Sequence, residues 1–245
     1  MHFQFVGCGD AFGSGGRFNT CFHVVGDEGA NFLIDCGATS LVALKRCGIS
    51  RDAIDTILIT HFHGDHFGGI PFFMLDAQFA KRTRPLVIAG PPGIEARYAQ
   101  AMETAFENSS KVKPRFDLTL MPLGPERAHP IGPLNVTPFP VEHGHSGGPF
   151  FAYRVEVEGR VIAYSGDTEW NDNLIEAGQD ADLFVVEAYF YERRVKNHLD
   201  LKTIETNLPE INPKKLILTH MSDDMLAHRH DVEHLVAEDG MIVTL

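Results

Sequence analysis

Short apolar runs of four or five residues, rich in Val, Ile and Leu, recur along the chain, and several end in a polar residue or a glycine. Runs of this length and composition predict short β-strands, some of them buried on both faces. Near the amino terminus the alternation is typical of hairpins. The predicted strands cover residues 3–6, 21–25, 31–34, 56–60, 85–89, 135–139, 160–164, 183–186 and 215–219.

Helical patterns lie between these strands. They cover residues 39–47, 67–80, 94–106, 172–176 and 202–207. Strands that alternate with helices predict an α/β (α+β) fold with mixed β-sheets flanked by helices. The chain has no low-complexity tract or Pro/Gly-rich linker, so we expect residues 1–245 to form one domain.

A faint internal repeat relates the two halves of the chain. Residues 32–37 resemble 161–167, and residues 57–61 resemble 216–220. In each half, one strand ends beside an aspartate and a later strand ends in Thr-His. Two such halves, packed sheet against sheet with the helices outside, would bring both sets of strand ends to one edge.

The amino-acid composition disfavours some classes of binding partner. The formal net charge is −12, which argues against general nucleic-acid binding, because that binding depends on Lys and Arg. No apolar stretch approaches the about 20 residues that span a bilayer, and no signal peptide is recognisable. Four widely spaced cysteines, without a C-x-x-C pair, predict free thiols and a cytoplasmic location.

The strongest chemical signal is the segment His61-Phe62-His63-Gly64-Asp65-His66, which directly follows a predicted strand. Three imidazoles and a carboxylate within six residues are far more than 13 histidines scattered over 245 positions would give. These ligand types suit zinc, manganese or iron. The segment therefore predicts a metal site, and Gly64 allows the backbone to turn sharply there.

One loop cannot surround two ions, so further ligands must come from elsewhere. Asp167 and His220 each follow a predicted strand, at equivalent places in the internal repeat. His143 and His145 lie in a Gly-rich loop after another strand, and their spacing alone does not decide between them.

Together these residues resemble the metallo-β-lactamase-fold hydrolase superfamily, in the branch that contains ribonuclease Z and related phosphodiesterases. The matching segments are 7–13, Asn19-Thr20, 33–37, 61–66, 164–168 and Thr219-His220. The resemblance implies a four-layered αββα sandwich with two divalent metal ions, zinc first and Mn or Fe as alternatives, between the sheet edges.

The resemblance also implies the distribution of ligands. It assigns His61, His63 and His143 to one ion, and Asp65, His66 and His220 to the other, with Asp167 bridging them. His145 would then support a metal ligand or face the substrate, and Asp35 would steady the metal-binding loop.

The mechanism implied by the resemblance is hydrolysis of a phosphodiester by a hydroxide that bridges two metals. In ribonuclease Z-like enzymes a Glu after a strand and a downstream His join the loop aspartate in protonating the leaving group. Glu187 and His198 match these two in order and type, so we expect Asp65, Glu187 and His198 to be catalytic.

The chain departs from ribonuclease Z in two places. One compact hairpin at 155–161 leaves no room for the inserted arm that grips transfer RNA, and Leu199-Asp200 follow His198 where small hydroxyl residues are usual. We therefore expect a small-molecule ester substrate and a cytoplasmic enzyme without membrane partner, compatible with a homodimer.

Four alternatives remain open from sequence. They are a carboxylic ester, lactone or thioester hydrolase on the same metals, a ribonuclease Z-like RNA endonuclease, a redox protein such as a single-iron sulfur-oxidising oxygenase, and a binding module with a structural metal. The residues at 67–123 could not be placed against the metals. Their aromatic side chains fit either a helix core or an apolar pocket.

Overall fold

Two β-sheets pack face to face in the computed structural model, which describes residues 1–245. The strands are β1 (His2–Gly7), β2 (Cys21–Val25), β3 (Asn31–Ile34), β4 (Thr56–Leu58), β5 (Leu86–Gly90), β6 (Leu118–Pro122), β7 (His129–Ile131), β8 (Leu134–Pro140), β9 (Phe151–Val157), β10 (Arg160–Tyr164), β11 (Leu183–Glu187), β12 (Leu216–Thr219), β13 (Leu235–Val236) and β14 (Ile242–Thr244). The helices are α1 (Ser40–Arg46), α2 (Gly64–Phe67), α3 (Ile70–Phe79), α4 (Ile94–Ala105), α5 (Asn173–Gly178), α6 (Leu201–Ile211) and α7 (Asp223–Ala227).

Each sheet has seven strands, in the orders β14-β1-β2-β3-β4-β5-β6 and β13-β12-β11-β10-β9-β8-β7. The central pairs β3–β4 and β4–β5 of the first sheet are parallel, as are β10–β11 and β11–β12 of the second. Parallel strands direct their carboxyl ends to the same edge of a sheet. The predicted meeting of strand ends from the two halves is therefore confirmed.

Three apolar clusters define four layers. The largest lies between the sheets, where the ring of Phe22 meets that of Tyr164 at 5.0 Å, edge to face. A second cluster packs α1, α3 and α4 onto the first sheet, and a third packs α5 and α6 onto the other. Burial of these side chains on both sides of each sheet explains the continuous apolar runs in the sequence. The predicted αββα sandwich is confirmed.

The helix predicted at 67–80 begins only at Ile70, and the short helix α2 precedes it. The chain leaves α2 and starts α3 through Gly68 and Gly69, because this segment crosses closely over the loop after β3. A Cβ atom on Gly69 would lie 2.2 Å from the carbonyl oxygen of Gly37. Only glycine permits this approach, and it draws α2 with its histidine against the sheet edge.

Other elements also differ from the prediction. Helix α6 is longer than the predicted 202–207, since the Asp200 carboxylate accepts the backbone N–H of Thr203 at 2.9 Å and caps the helix start. The short strands β6, β7, β13 and β14 were not predicted, because edge strands of this kind carry little apolar pattern.

The aromatic residues of the segment 67–123 divide between the core and the surface. Phe67, Phe73 and Met74 are buried, whereas Phe72 and Phe79 are exposed. None of the five lines the cavity described below. No helix of the structure is both long and apolar enough to cross a bilayer, and the four cysteines are free thiols.

Candidate metal centre

The segment from His61 to His66 forms a loop and the first helical turn at the edge between the sheets. Strand β4 ends at Leu58, and α2 begins at Gly64. His61 and His63 therefore lie on the loop, whereas Asp65 and His66 are held by helical geometry. His61 and His66 are buried, and His63 is half-buried.

One cluster of possible ligand atoms comprises three imidazoles. The His61 Nε2 atom lies 3.1 Å from His63 Nδ1, which in turn lies 3.2 Å from His143 Nε2. His143 comes from the loop after β8, on the opposite sheet. Three nitrogens that converge from two sheets match the imidazole set expected for one ion.

A second cluster comprises Asp65, His66, Asp167 and His220. The His66 Nε2 atom lies 3.3 Å from Asp65 Oδ2, and His220 Nε2 lies 3.2 Å from the same oxygen. Asp167 follows β10, and His220 follows β12. The internal repeat thus brings two strand ends of the second sheet to the loop of the first.

Asp167 connects the two clusters. Its Oδ2 atom lies 3.2 Å from His66 Nε2, 3.3 Å from His220 Nε2 and 3.5 Å from His143 Nε2. A single carboxylate oxygen therefore lies within 3.5 Å of nitrogens from both clusters. This is the position that a bridging carboxylate needs.

Four of the histidines are anchored through the ring nitrogen that faces away from the clusters. His66 Nδ1 is 2.7 Å from Asp35 Oδ2, and His61 Nδ1 is 3.1 Å from the Thr60 hydroxyl. Backbone carbonyls serve the other two: His143 Nδ1 donates to Asn197 O at 2.6 Å, and His63 Nε2 donates to Ser146 O at 2.7 Å. Such partners fix the tautomer and orient the free nitrogen inward.

Buried polar atoms test whether this set fits metal ions. His66 Nε2, Asp167 Oδ1 and His220 Nδ1 are buried without a hydrogen-bond partner. Buried polar atoms in proteins almost always have a hydrogen-bond partner. An unpaired ring nitrogen and an unpaired carboxylate oxygen in the same cluster therefore indicate that a further group binds there. The neutral imidazoles and carboxylates are the donors that zinc and similar divalent ions take. The residues fit two such ions.

The electrostatics agree with a site built for cations. Although burial alone would raise the pKa of Asp167, the neighbouring His220 and His66 hold it well below its usual range. Burial also lowers the pKa of His61, which favours the neutral ring that a metal ligand requires.

Glu187 and His198 form an ion pair beside the second cluster. Glu187, at the end of β11, is fully buried, and its Oε2 atom lies 2.7 Å from His198 Nδ1. Burial opposes protonation of His198, but the charge and hydrogen bond of Glu187 raise its pKa to about 9. The Tyr189 ring stacks on the imidazole at 4.3 Å between centroids. The arrangement places a protonated imidazole next to the clusters.

A cavity of about 340 Å³ lies over the centre. Its lining includes residues of both clusters, His63, Asp65, His143, Asp167 and His220, together with His198, Phe12, His145 and Asn197. His145 is exposed and belongs to neither cluster, so the structure separates it from His143. Tyr189 and the Asn197 carbonyl had not been singled out, since a stacking ring and a backbone acceptor carry no motif.

The chain is similar to several known proteins in sequence and in structure. Residues 1–239 match the sequence profile of the family described as anti-Pycsar protein Apyc1. The chain belongs to this family. Among curated relatives, the ribonuclease Z of Agathobacter rectalis is 28% identical over 250 residues, which cover 81% of this chain and 80% of that protein.

Solved structures show the same architecture. The short form of human tRNase Z superposes with a TM-score of 0.81 at 24% identity, covering 100% of this chain and 99% of that one. The metallo-β-lactamase-fold protein YhfI of Bacillus subtilis gives a TM-score of 0.76 at 19% identity, over 99% and 98% of the two chains. These likenesses confirm the predicted fold. The curated relatives named ribonuclease Z confirm the predicted ribonuclease Z and phosphodiesterase-like branch.

The relatives also confirm the predicted enzyme class, a metallo-β-lactamase-fold hydrolase. They conflict in part with the expectation that nucleic acid is not a partner, because some of them are named ribonuclease Z. The ligand and catalytic roles of individual residues, the number and identity of the metals, and the substrate stay predictions.

Proposed function

We propose that this member of the Apyc1 family is a dinuclear metal-dependent hydrolase of a small phosphodiester. The observation that carries the proposal is the position of Asp167 Oδ2, within 3.5 Å of nitrogens from both clusters. A carboxylate shared in this way favours two ions over one, and paired ions suit displacement at phosphorus.

In this proposal His61, His63 and His143 hold one ion, Asp65, His66 and His220 hold the other, and Asp167 bridges them. Zinc fits the donors best, with manganese or iron as alternatives. When bound, the ions would supply an activated water and offset the negative charge of the transition state.

The chain's own groups then handle the leaving group. His198 faces the cavity and carries a proton, which it donates to the departing alkoxide oxygen. Buried Glu187 orients the imidazole through the 2.7 Å contact and keeps it protonated. Asp65 lines the cavity, and its Oδ2 atom lies 3.2 Å from His220 Nε2. Besides binding metal, it assists in this proton transfer.

Two features favour a small substrate over RNA. Strands β9 and β10 are joined by a turn of only Glu158 and Gly159, so nothing extends from the hairpin to grip a larger molecule. The cavity of about 340 Å³ is at the small end of the size range of ligand pockets.

We further propose a cytoplasmic location, which is consistent with the free thiols. The proposed function involves no membrane partner.

The test is metal analysis of the purified protein, paired with rates on four substrates. These are bis(4-nitrophenyl) phosphate, a small cyclic phosphodiester, a simple lactone and a precursor transfer RNA. We expect about two metals per chain and turnover of both small phosphodiesters. Preference for the lactone would favour a carboxylic ester hydrolase, and preference for the RNA would support the ribonuclease Z alternative. One iron with oxygen consumption would contradict a hydrolase.

A further inference from the structure

His198 ends a two-residue β-turn. Val195 and His198 pair as an isolated antiparallel bridge, and Lys196 and Asn197 form the turn between them. Asn197 has a φ of 71°, in the left-handed region, whereas Lys196 does not lie there. A positive φ at the second central residue is the feature of a type II turn, which takes Gly or Asn at that position because most other side chains clash. The conformation of this turn therefore depends on the residue type at position 197.

The backbone carbonyl of Asn197 orients His143. It accepts the Nδ1–H of His143 at 2.6 Å, and the Nε2 atom of the same ring then lies 3.2 Å from His63 Nδ1 in the first cluster. The contact joins the loop after β11 to the loop after β8, two segments 54 residues apart in the chain. The conformation of the turn thus decides where this acceptor points, and with it the direction of the His143 ring.

The same peptide unit also carries His198. A peptide bond is planar, so the Asn197 carbonyl and the His198 backbone nitrogen move as one body. His198 Nδ1 lies 2.7 Å from Glu187 Oε2, and the His198 ring meets that of His143 at 4.7 Å, edge to face. Rotation of this unit would turn the carbonyl away from His143 and would displace His198 from Glu187. The directions of a predicted metal ligand and of the predicted proton donor are therefore set together.

The side chain of Asn197 serves neither of these contacts. It is exposed, and the contacts to His143 and Glu187 come from the carbonyl of residue 197 and from the ring of residue 198. Because Asn197 also lines the cavity, a direct contact of its carboxamide with substrate is the alternative role. Glycine separates the two roles, since it keeps the left-handed backbone and removes the carboxamide.

We propose that Asn197 is a positioning residue, whose left-handed backbone orients the predicted ligand His143 and the predicted proton donor His198 through one peptide unit. This inference rests on the proposed metal-dependent phosphodiesterase function and deepens it. Metal affinity and proton donation are then coupled, so a substitution that strains the turn weakens both. A substitution that only removes the side chain weakens neither.

Zinc affinity tests the first half of the proposal. In Asn197→Val we expect one of the two zinc ions to bind about 5- to 30-fold more weakly in competition with a fluorescent chelator, the factor that a left-handed conformation costs an ordinary residue. Asn197→Ala should lie between this variant and wild type, because a β-branched side chain fits the left-handed region worst, and Asn197→Gly should match wild type. Asn108→Val is the matched control, since Asn108 is also exposed and left-handed (φ 66°) but does not line the cavity.

The dependence of kcat on the leaving group, measured at saturating zinc, tests the second half. In Asn197→Val kcat should fall for phosphodiesters with an alkoxide leaving group and change little for those that release 4-nitrophenolate, whereas Asn197→Gly should keep both rates. Equal losses in Asn197→Gly and Asn197→Val would assign the carboxamide to the substrate and overturn the positioning role. A loss of zinc affinity without the leaving-group effect, or the reverse, would overturn the coupling.

Crystal structures of zinc-loaded wild type and Asn197→Val keep failure of this inference apart from failure of the proposed function. The variant should lose two contacts together, that from the carbonyl at position 197 to His143 and that from His198 to Glu187, and retention of either would overturn the inference. The milder Asn197→Ala gives the same comparison should Asn197→Val fail to fold. Absence of turnover of every phosphodiester by wild type would overturn the proposed function, and the zinc affinities and structures would still decide the role of Asn197.

Discussion

The Oε2 atom of Glu187 lies 2.7 Å from Nδ1 of His198, although the two residues come from a buried strand end and a partly open loop. The other carboxylate oxygen of Glu187, Oε1, accepts the backbone N–H of Thr168. The carboxylate is therefore fixed, and the imidazole takes its direction from it. This pair distinguishes a centre with its own proton donor from one that relies on metals alone.

His198→Ala should slow the hydrolysis of phosphodiesters with an alkoxide leaving group by about 10²- to 10⁴-fold, the usual contribution of a general acid. The loss should be much smaller with 4-nitrophenolate, which departs without a proton. Rates on both substrate types check this, with His230→Ala, on the surface, as control. A loss of equal size on both types would contradict proton donation by His198.

Glu187→Gln should reproduce the same dependence on the leaving group. Glutamine keeps the size of the side chain and an oxygen acceptor, but it removes the charge that holds the proton on His198. Because both residues then act through one proton, the effects should not add in the double variant. Additive losses in kcat would show that Glu187 acts independently of His198.

Zinc should raise the melting temperature of chelator-treated protein. His66 Nε2 and Asp167 Oδ1 of the second cluster lack hydrogen-bond partners, and ions that bind only the folded state at about 100 times Kd stabilise it by about 2.7 kcal/mol. For a chain of this size that corresponds to about 5–11 °C. Asp167→Asn should lose most of this shift and at least one equivalent of metal in elemental analysis. An unchanged shift in that variant would contradict the bridging role.

Asp35→Asn should weaken metal binding, although Asp35 is not itself a predicted metal ligand. The Asp35 carboxylate accepts His66 Nδ1 at 2.7 Å and the backbone N–H of Thr60 at 2.8 Å. Loss of such a partner typically lowers metal affinity about 10- to 100-fold. Competition with a fluorescent zinc chelator measures the change. Asparagine tolerates the left-handed backbone at this position (φ 59°), so a fold disturbed by the backbone is not expected.

The pH dependence of stability should include a contribution from His23, which lies far from the metal loop in sequence and has its Nε2 atom 2.8 Å from Asn31 Oδ1. Burial lowers the pKa of His23 below its ordinary value, despite the hydrogen bond with Asn31. Its contribution is therefore fully present above about pH 6.5 and is lost as the pH falls through the lower pKa of the folded state.

Denaturant unfolding between pH 7.5 and 5 in the presence of chelator measures this contribution. The difference in unfolding free energy between wild type and His23→Gln should fall by up to about 1.4 kcal/mol per pH unit on the acid side. His230→Gln, on the surface, serves as control. A difference that is independent of pH would contradict the assignment.

The sequence by itself determined the local elements of this protein. The apolar runs predicted strands such as β3 and β10 with their observed bounds, because strands covered on both faces are apolar over most of their length. It also determined the metal-binding character of the segment His61 to His66, since six consecutive residues carry four ligand-type side chains whatever the rest of the chain does.

Tertiary structure alone decided how distant residues meet. Residue spacing did not choose between His143 and His145. In the structure the Asn197 carbonyl anchors His143 and leaves its Nε2 facing His63, whereas His145 belongs to neither cluster. Tertiary structure likewise brings Glu187 next to His198 and stacks Tyr189 on the His198 ring. Such contacts depend on the packing of two sheets and the loops between them, and no local periodicity records them. The order of strand ends along the shared edge is what converts a metal-binding loop into a candidate two-metal centre.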